Sequence, residues 1–208
     1  MGVTVTVRTR YAPSPTGALH IGNVRSGLFA YLFARHCKGS FVLRIDDTDR
    51  ERSTRESLDE ILESLRWLGV EWDDGPPDPA YFQSNRFERY RQGALQLLHG
   101  GKAYPCYCSA AELDAMRKQA EREHRKPGYN GRCRDRTQAA DLPKVELPDR
   151  AAGRNYTIRF RAPREGQTVV EDLIKGRAVF DNSELDDLII FRSDGVPTYN
   201  FATVLDDA

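Results

Sequence analysis

No stretch of this 208-residue sequence approaches the ~18 consecutive apolar residues of a membrane-spanning helix, and Met1 to Arg10 is a strand-like run of Val and Thr rather than a signal-peptide core. Both absences exclude a membrane partner and set the cytoplasm as the expected compartment. Cysteine is scarce: four in a chain of this length cannot build a disulfide scaffold, so they are expected as reduced thiols or metal ligands. Internal repeats and low-complexity tracts are missing, which argues against solenoids and fibres. Net charge is also missing, because 31 basic and 31 acidic side chains cancel. What remains, with 39% hydrophobic and 30% charged residues, is the composition of a globular protein of one domain or two small ones.

The cancelled charges are segregated along the chain. Asp46 to Asp78 holds twelve acidic and four basic residues, and Arg117 to Arg136 holds eight basic and three acidic ones. The basic stretch reads as a phosphate-facing surface or as a solvated helix face.

Val3, Val5 and Val7 alternate with threonines as in a strand, which ends at Arg10 before the turn-rich Ala12-Pro13-Ser14-Pro15-Thr16-Gly17. From Gly22 the spacing turns helical, with Val24, Leu28, Tyr31 and Leu32 on the expected core face and Cys37 expected in the core. Ser40 to Asp46 then reads as a buried strand, completing a β-loop-α-β unit and an α/β fold class. Ser53-x-x-Glu56 predicts a capping box for a helix whose stripe is Leu58, Ile61, Leu62, Leu65 and Leu68, stopped by Gly69. Residues 73–79, with three prolines, predict a loop. A helix is predicted over Arg86 to Leu98, ended by Gly100-Gly101, and Ser109-x-x-Glu112 opens a short basic helix. Four strand-like runs follow from Tyr156 (YTIRFR, TVVEDLI, RAVFDN, DLIIFR). The expected organisation is a first α/β part over 1–101, an insertion with its own small sheet over 102–192, and a return towards the first sheet over 193–208.

Arg10 to Asn23, RYAPSPTGALHIGN, joins the first strand to the first helix and sets Gly17, His20, Gly22 and Asn23 at a helix N-terminus, where a phosphate can dock. Glycines permit close backbone approach, and His20 and Asn23 supply hydrogen-bond donors. Cys106 and Cys108, one residue apart, with Cys133 further on, have a spacing that can converge on one zinc ion. The alternative is three unliganded cysteines.

The first of these strings resembles the HIGH-motif region of class I aminoacyl-tRNA synthetases, in detail that of glutamyl-tRNA synthetases. There an R-x-A-P-S-P-T-G run precedes H-x-G, and Asn23 stands for the second histidine of the motif. A second block, Arg44-Ile45-Asp46-Asp47-Thr48-Asp49, and a third, Ser193 to Asp207, follow in the family's order, with the Cys-x-Cys insertion between them. The resemblance implies the first half of a Rossmann-type parallel sheet carrying an inserted α+β domain that grips the tRNA acceptor stem. It implies ATP as substrate with Mg2+ on its phosphates, contacted by Thr16, His20, Gly22 and Asn23, of which His20 and Asn23 would serve catalysis by stabilising phosphate charge. L-glutamate would be held by Arg10, Ser14, Asp46, Tyr199 and Thr203. At position 46 the family often has Glu, so the shorter Asp implies a closer substrate or an intervening water.

The same resemblance places Arg117, Lys118, Arg122, Arg125, Lys126, Arg132, Arg134 and Arg136 on tRNA phosphates, with Tyr107 and Tyr129 available to stack on bases or simply to pack. Relatives with the zinc site supply its fourth ligand as a histidine two residues after the last cysteine, a position held here by Asp135. In the related tRNA-modifying branch it is a tyrosine four residues before that cysteine, here Tyr129. The expected reaction is ATP-dependent attachment of glutamate to tRNA(Glu) through a glutamyl-adenylate, by a monomer. A family member continues beyond these blocks with the second half of the sheet, the KMSKS loop and an anticodon-binding region, so this chain is expected to be an N-terminal part that does not aminoacylate alone. The alternatives are a synthetase that charges glutamate onto queuosine of tRNA(Asp) and a non-catalytic tRNA-binding fragment.

Overall fold

The structure is a computed structural model that describes residues 6–17, 19–49, 51–172 and 174–208. It divides into two compact units, residues 1–87 and 88–208. None of its helices among the described residues is long and apolar enough to cross a membrane.

In the first unit, strand β1 (Arg8–Tyr11) and strand β2 (Ser40–Leu43) pair in parallel, Arg8 opposite Ser40 through Tyr11 opposite Leu43, and helix α1 (Ile21–His36) connects them. A parallel pair needs such a crossover, so the β-loop-α-β reading is realised. The expected start of β1 at Val3 and Val5 lies outside the described residues. Helix α1 does not bury the face its leucines suggest. Leu28 and Leu32 are exposed, and the buried positions are Gly27 and Ala34. Small residues win because the Tyr11 ring lies where a Cβ on Gly27 would come within 3.0 Å of its Cδ1. Cys37, expected in the core, is the exposed C-cap of α1.

Helix α2 (Arg55–Trp67) packs Ile61 and Leu65 against Phe41, Leu43 and Ile45, while Leu58 and Leu62 lie at the edge of that core and Leu68 is exposed. Gly69, at φ 71, ends the helix as expected. The cap differs from the sequence reading. Thr54, not Ser53, is the N-cap, its Oγ1 accepting from the Ser57 amide at 3.1 Å. Ser53 is used differently: its amide donates to the Asp49 carbonyl, and its hydroxyl is buried without a partner. Thr54→Ala should therefore lower stability by about 1 kcal/mol, and Ser53→Ala by less than half of that, as read from urea unfolding midpoints.

In the second unit, helix α3 (Phe87–His99), whose first residue closes the first unit, presents Tyr90, Ala94 and Leu98 to the core. A three-stranded antiparallel sheet follows, in the order β3 (Ala103–Cys106), β4 (Thr157–Phe160), β7 (Ile189–Phe191). Strand β3, which carries Pro105, is not among the strands expected from the sequence. The proline is tolerated on an edge strand, where one side of the ladder is not used. Alternation splits this sheet into two faces. Ala103, Ile158 and Phe191 join the α3 core, whereas Tyr104 and Cys106 join a smaller cluster with Cys133 and Leu142.

Helix α4 (Ala110–Arg122) opens with the expected capping box, in which Ser109 and Glu112 satisfy each other's backbone amides. Strands β5 (Gln167–Asp172) and β6 (Gly176–Asp181) form a separate two-stranded ribbon. Residues 193–208, where a return towards the first sheet is expected, hold a turn and helix α5 (Tyr199–Asp207), which packs Phe201 and Ala202 into the α3 core.

Candidate functional site

The loop between β1 and α1 is fixed by backbone bonds. The Arg44 amide donates to the Tyr11 carbonyl, that of Asp46 to Pro13 and that of Thr54 to Pro15, while the Thr16 amide donates to Ser14. His20 is the N-cap of α1 in an extended conformation, and its Nδ1 accepts from the Gly22 amide at 3.2 Å. That bond places the proton of the neutral imidazole on Nε2, leaving a donor there. Gly22 has a steric reason as well, since a Cβ would sit 3.1 Å from the His20 ring. No acidic residue occupies the first turn of α1, so the helix itself places no negative charge at the positive end of its dipole. Thr16, His20 and Asn23 are exposed around this N-terminus, as are Arg10 and Ser14.

The acid-rich block after β2 is largely absorbed by structure. Both oxygens of Asp46 accept from Arg44, at 2.7 Å from Nε and 3.3 Å from Nη2, and its side chain has no exposed area. Asp47 accepts from the Ser84 amide at 2.8 Å and hydroxyl at 2.7 Å, and Asp49 pairs with Arg52. The Arg52 guanidinium holds the Asp49 carboxyl below its usual range. The other two residues expected to contact glutamate, Tyr199 and Thr203, belong to the second unit, on α5. Tyr199 is exposed, and the Thr203 hydroxyl is buried without a partner.

In the second unit, the sulfurs of Cys106, Cys108 and Cys133 lie within 4.8 Å of one another. Cys108 and Cys133 are 3.6 Å apart. Of the two candidate fourth ligands the structure brings in one. The Tyr129 hydroxyl is 3.5 Å from Cys106 Sγ and 3.6 Å from Cys108 Sγ, and it accepts from the Cys133 amide at 2.8 Å. Asp135 is 84% exposed and pairs with Arg161 at 2.9 Å. Burial pushes the Cys108 thiol up to about 11 and also raises the Tyr129 phenol. For Cys133 burial acts upward too, but hydrogen bonds from Tyr129, the Tyr107 backbone and the other cysteines outweigh it and leave the thiol lowered.

Three thiols and a phenol around one point are a donor set suited to zinc. A second observation fits a charged centre there: the buried Arg159 guanidinium stacks 3.8 Å from the Tyr129 ring centroid, and its Nε has no acceptor. No sequence pattern marked Arg159, because β4 alternation by itself does not say which face meets the cysteines.

The basic stretch is more structural than its composition suggests. Arg134 is buried in an ion pair with Asp187, which also accepts from the Tyr104 hydroxyl at 2.6 Å, so Arg134 is no phosphate contact. Lys118 pairs with Asp114, Arg132 with Glu112 and Arg125 with Glu123, all at the surface. Arg117 and Arg122 are exposed with no ion pair among the described residues. Tyr107 is half exposed, with its ring 5.2 Å from that of Tyr156 and the Arg136 guanidinium 4.8 Å above it.

Residues 6–208 match the family model for class I tRNA synthetases (E and Q), catalytic domain. A glutamate–tRNA ligase of Geotalea uraniireducens is 54% identical over 202 residues, covering 97% of this chain and 40% of the relative. Glutamate–tRNA ligase 1 of Caldanaerobacter subterraneus is 55% identical over the same shares. Among solved structures, a glutamate tRNA ligase from Elizabethkingia meningosepticum in complex with its amino acid superposes with a TM-score of 0.82 at 36% identity, over 97% of this chain and 41% of that one. The chain thus spans about 40% of the length of the curated relatives it matches. From residue 6 to its last residue, the chain belongs to the class I tRNA synthetases (E and Q), in the family of their catalytic domain.

Proposed function

We propose that this chain supplies the ATP-binding and acceptor-gripping part of a glutamate–tRNA ligase. The observation that carries the reading is the His20 cap. Its Nδ1 is occupied by the Gly22 amide, so Nε2–H is left to donate at the N-terminus of a helix whose first turn carries no acidic side chain. In this reading the glutamate α-carboxylate attacks the α-phosphorus of ATP, giving glutamyl-adenylate and pyrophosphate. The terminal adenosine hydroxyl of tRNA(Glu) then takes the glutamyl group and AMP leaves. His20 and Asn23 donate to phosphoryl oxygens as charge moves onto them, Gly22 admits the nucleotide and Thr16 flanks it. Mg2+ on the phosphates would offset their charge. In the first unit, Arg10 and Ser14 are the proposed glutamate contacts. Asp46 contributes through its buried pair with Arg44.

In the second unit, residues 102–192 are proposed as the acceptor-stem grip, with Arg117, Arg122 and Arg136 on phosphates and Tyr107 as a stacking surface. Cys106, Cys108, Cys133 and Tyr129 would hold a zinc ion that ties β3 to the segment after α4, a structural role.

Glutamate-dependent ATP–pyrophosphate exchange, assayed at the full length of the relatives, tests the function. Exchange should require tRNA(Glu), fail with glutamine, and fall by two orders of magnitude or more in His20→Ala, the effect of losing one donor to a developing oxyanion. Exchange without tRNA would favour the queuosine-charging reading. A chain that binds neither ATP nor tRNA would overturn both.

A further inference from the structure

We propose that Arg159 is the counter-charge of the cysteine–tyrosine centre and sets its affinity for zinc, an inference that rests on the zinc reading above. Arg159 is 6% exposed, and burying a guanidinium is costly unless an anion balances it. Several other arginines withdrawn from solvent have one: Arg44 holds Asp46, Arg134 holds Asp187, Arg154 holds Glu146 and Asp149, and Arg161 holds Asp135. Arg159 has no carboxylate partner among the described residues. It donates from Nη1 to the Asp187 backbone carbonyl at 2.6 Å, and its Nε is buried with no acceptor.

Its position is set by the sheet. Arg159 stands opposite Tyr104 in the β3–β4 pairing, on the face that carries Cys106, and the register between β4 and β7 shifts at Ile158 and Arg159. A shift of this kind re-aims a side chain. Here the guanidinium lies over the ring of Tyr129, whose hydroxyl touches Cys106 and Cys108. Zinc held by three thiolates carries a net negative charge, which is the anion that Arg159 otherwise lacks. Arg159 would touch no metal and act through Tyr129 and through its field, as outer partners of metal ligands do.

Zinc affinity by competition with a chromophoric chelator, on the parent chain and on Arg159→Gln and Arg159→Lys, tests the assignment. Arg159→Gln should bind zinc 10–100-fold more weakly, and Arg159→Lys should recover most of that loss. Metal-free melting temperatures separate this from a packing role: the Gln variant, relieved of an unbalanced buried cation, should melt no lower than the metal-free parent. Equal zinc affinities in all three proteins would overturn the assignment while leaving the zinc reading intact. An affinity loss accompanied by a matching loss of metal-free stability would also overturn it. A parent chain that takes up no zinc would remove the zinc reading and this inference together.

Discussion

Cys133→Ser should reduce bound zinc from about one per chain to near zero and destabilise the second unit by several kcal/mol, measured by inductively coupled plasma mass spectrometry and urea unfolding. The size follows from what the residue joins. Cys133 sits 3.6 Å from Cys108 and donates its amide to Tyr129, and with Cys106 it forms the buried cluster beneath Tyr104 and Leu142. Two companion variants locate the fourth ligand. Tyr129→Phe keeps the ring under Arg159 but removes the hydroxyl that touches two sulfurs, so zinc affinity should fall at least tenfold. Asp135→Asn should leave affinity unchanged, because that carboxylate faces solvent and Arg161. The pH dependence has a definite sign. Burial pushes the Cys108 thiol up to about 11, so zinc must displace a proton there near neutrality, and apparent affinity should rise with pH until that thiol ionises unaided.

Asp46→Ala should cost the first unit about 3–5 kcal/mol, the range for stripping one partner from a buried ion pair. Arg44 and Asp46 are both withdrawn from solvent, so the surviving guanidinium would be left in the core without its two carboxylate contacts. Replacing both partners with apolar residues should recover much of the loss, and urea unfolding of the two single variants and the double completes the cycle. An Asp46→Ala variant as stable as the parent would show that the pair adds nothing. A glutamate-binding role for Asp46 would appear separately, as a raised KM for glutamate in the milder Asp46→Asn.

Local chemistry was legible in the sequence and long-range geometry was not. The Ser109 and Glu112 box, the stops at Gly69 and Gly101 and the four strands after Tyr156 depend on neighbours a few residues away, and each appears where its signal stood. Thr54 displaced Ser53 because a backbone bond to Asp49 sets where the chain turns into α2. Helix α1 buried Gly27 and Ala34 rather than its leucines because a ring from β1 needed room, a fact held by Tyr11 and not by the helix pattern. In the candidate sites, the His20 loop and the three cysteines could be read from spacing. The choice of Tyr129 over Asp135, the isolation of Arg159 and the withdrawal of Arg134 from the surface arise from pairings across β3, β4 and the segment after α4.

The cysteines also enclose something. Cys108 stands just before Ser109, the N-cap of α4, and Cys133 follows the helix, so joining them through one ion would close a loop that contains the whole helix and Arg117 and Arg122, which have no ion pair among the described residues. Closing such a loop removes chain entropy from the opened state, to a degree that grows only slowly with loop length. The ion would then act on nucleic acid without touching it. If zinc binds as proposed, holding the ends of this segment together would limit how far the positive charges can wander, and would lower the ordering entropy to be surrendered on contact with a phosphate backbone.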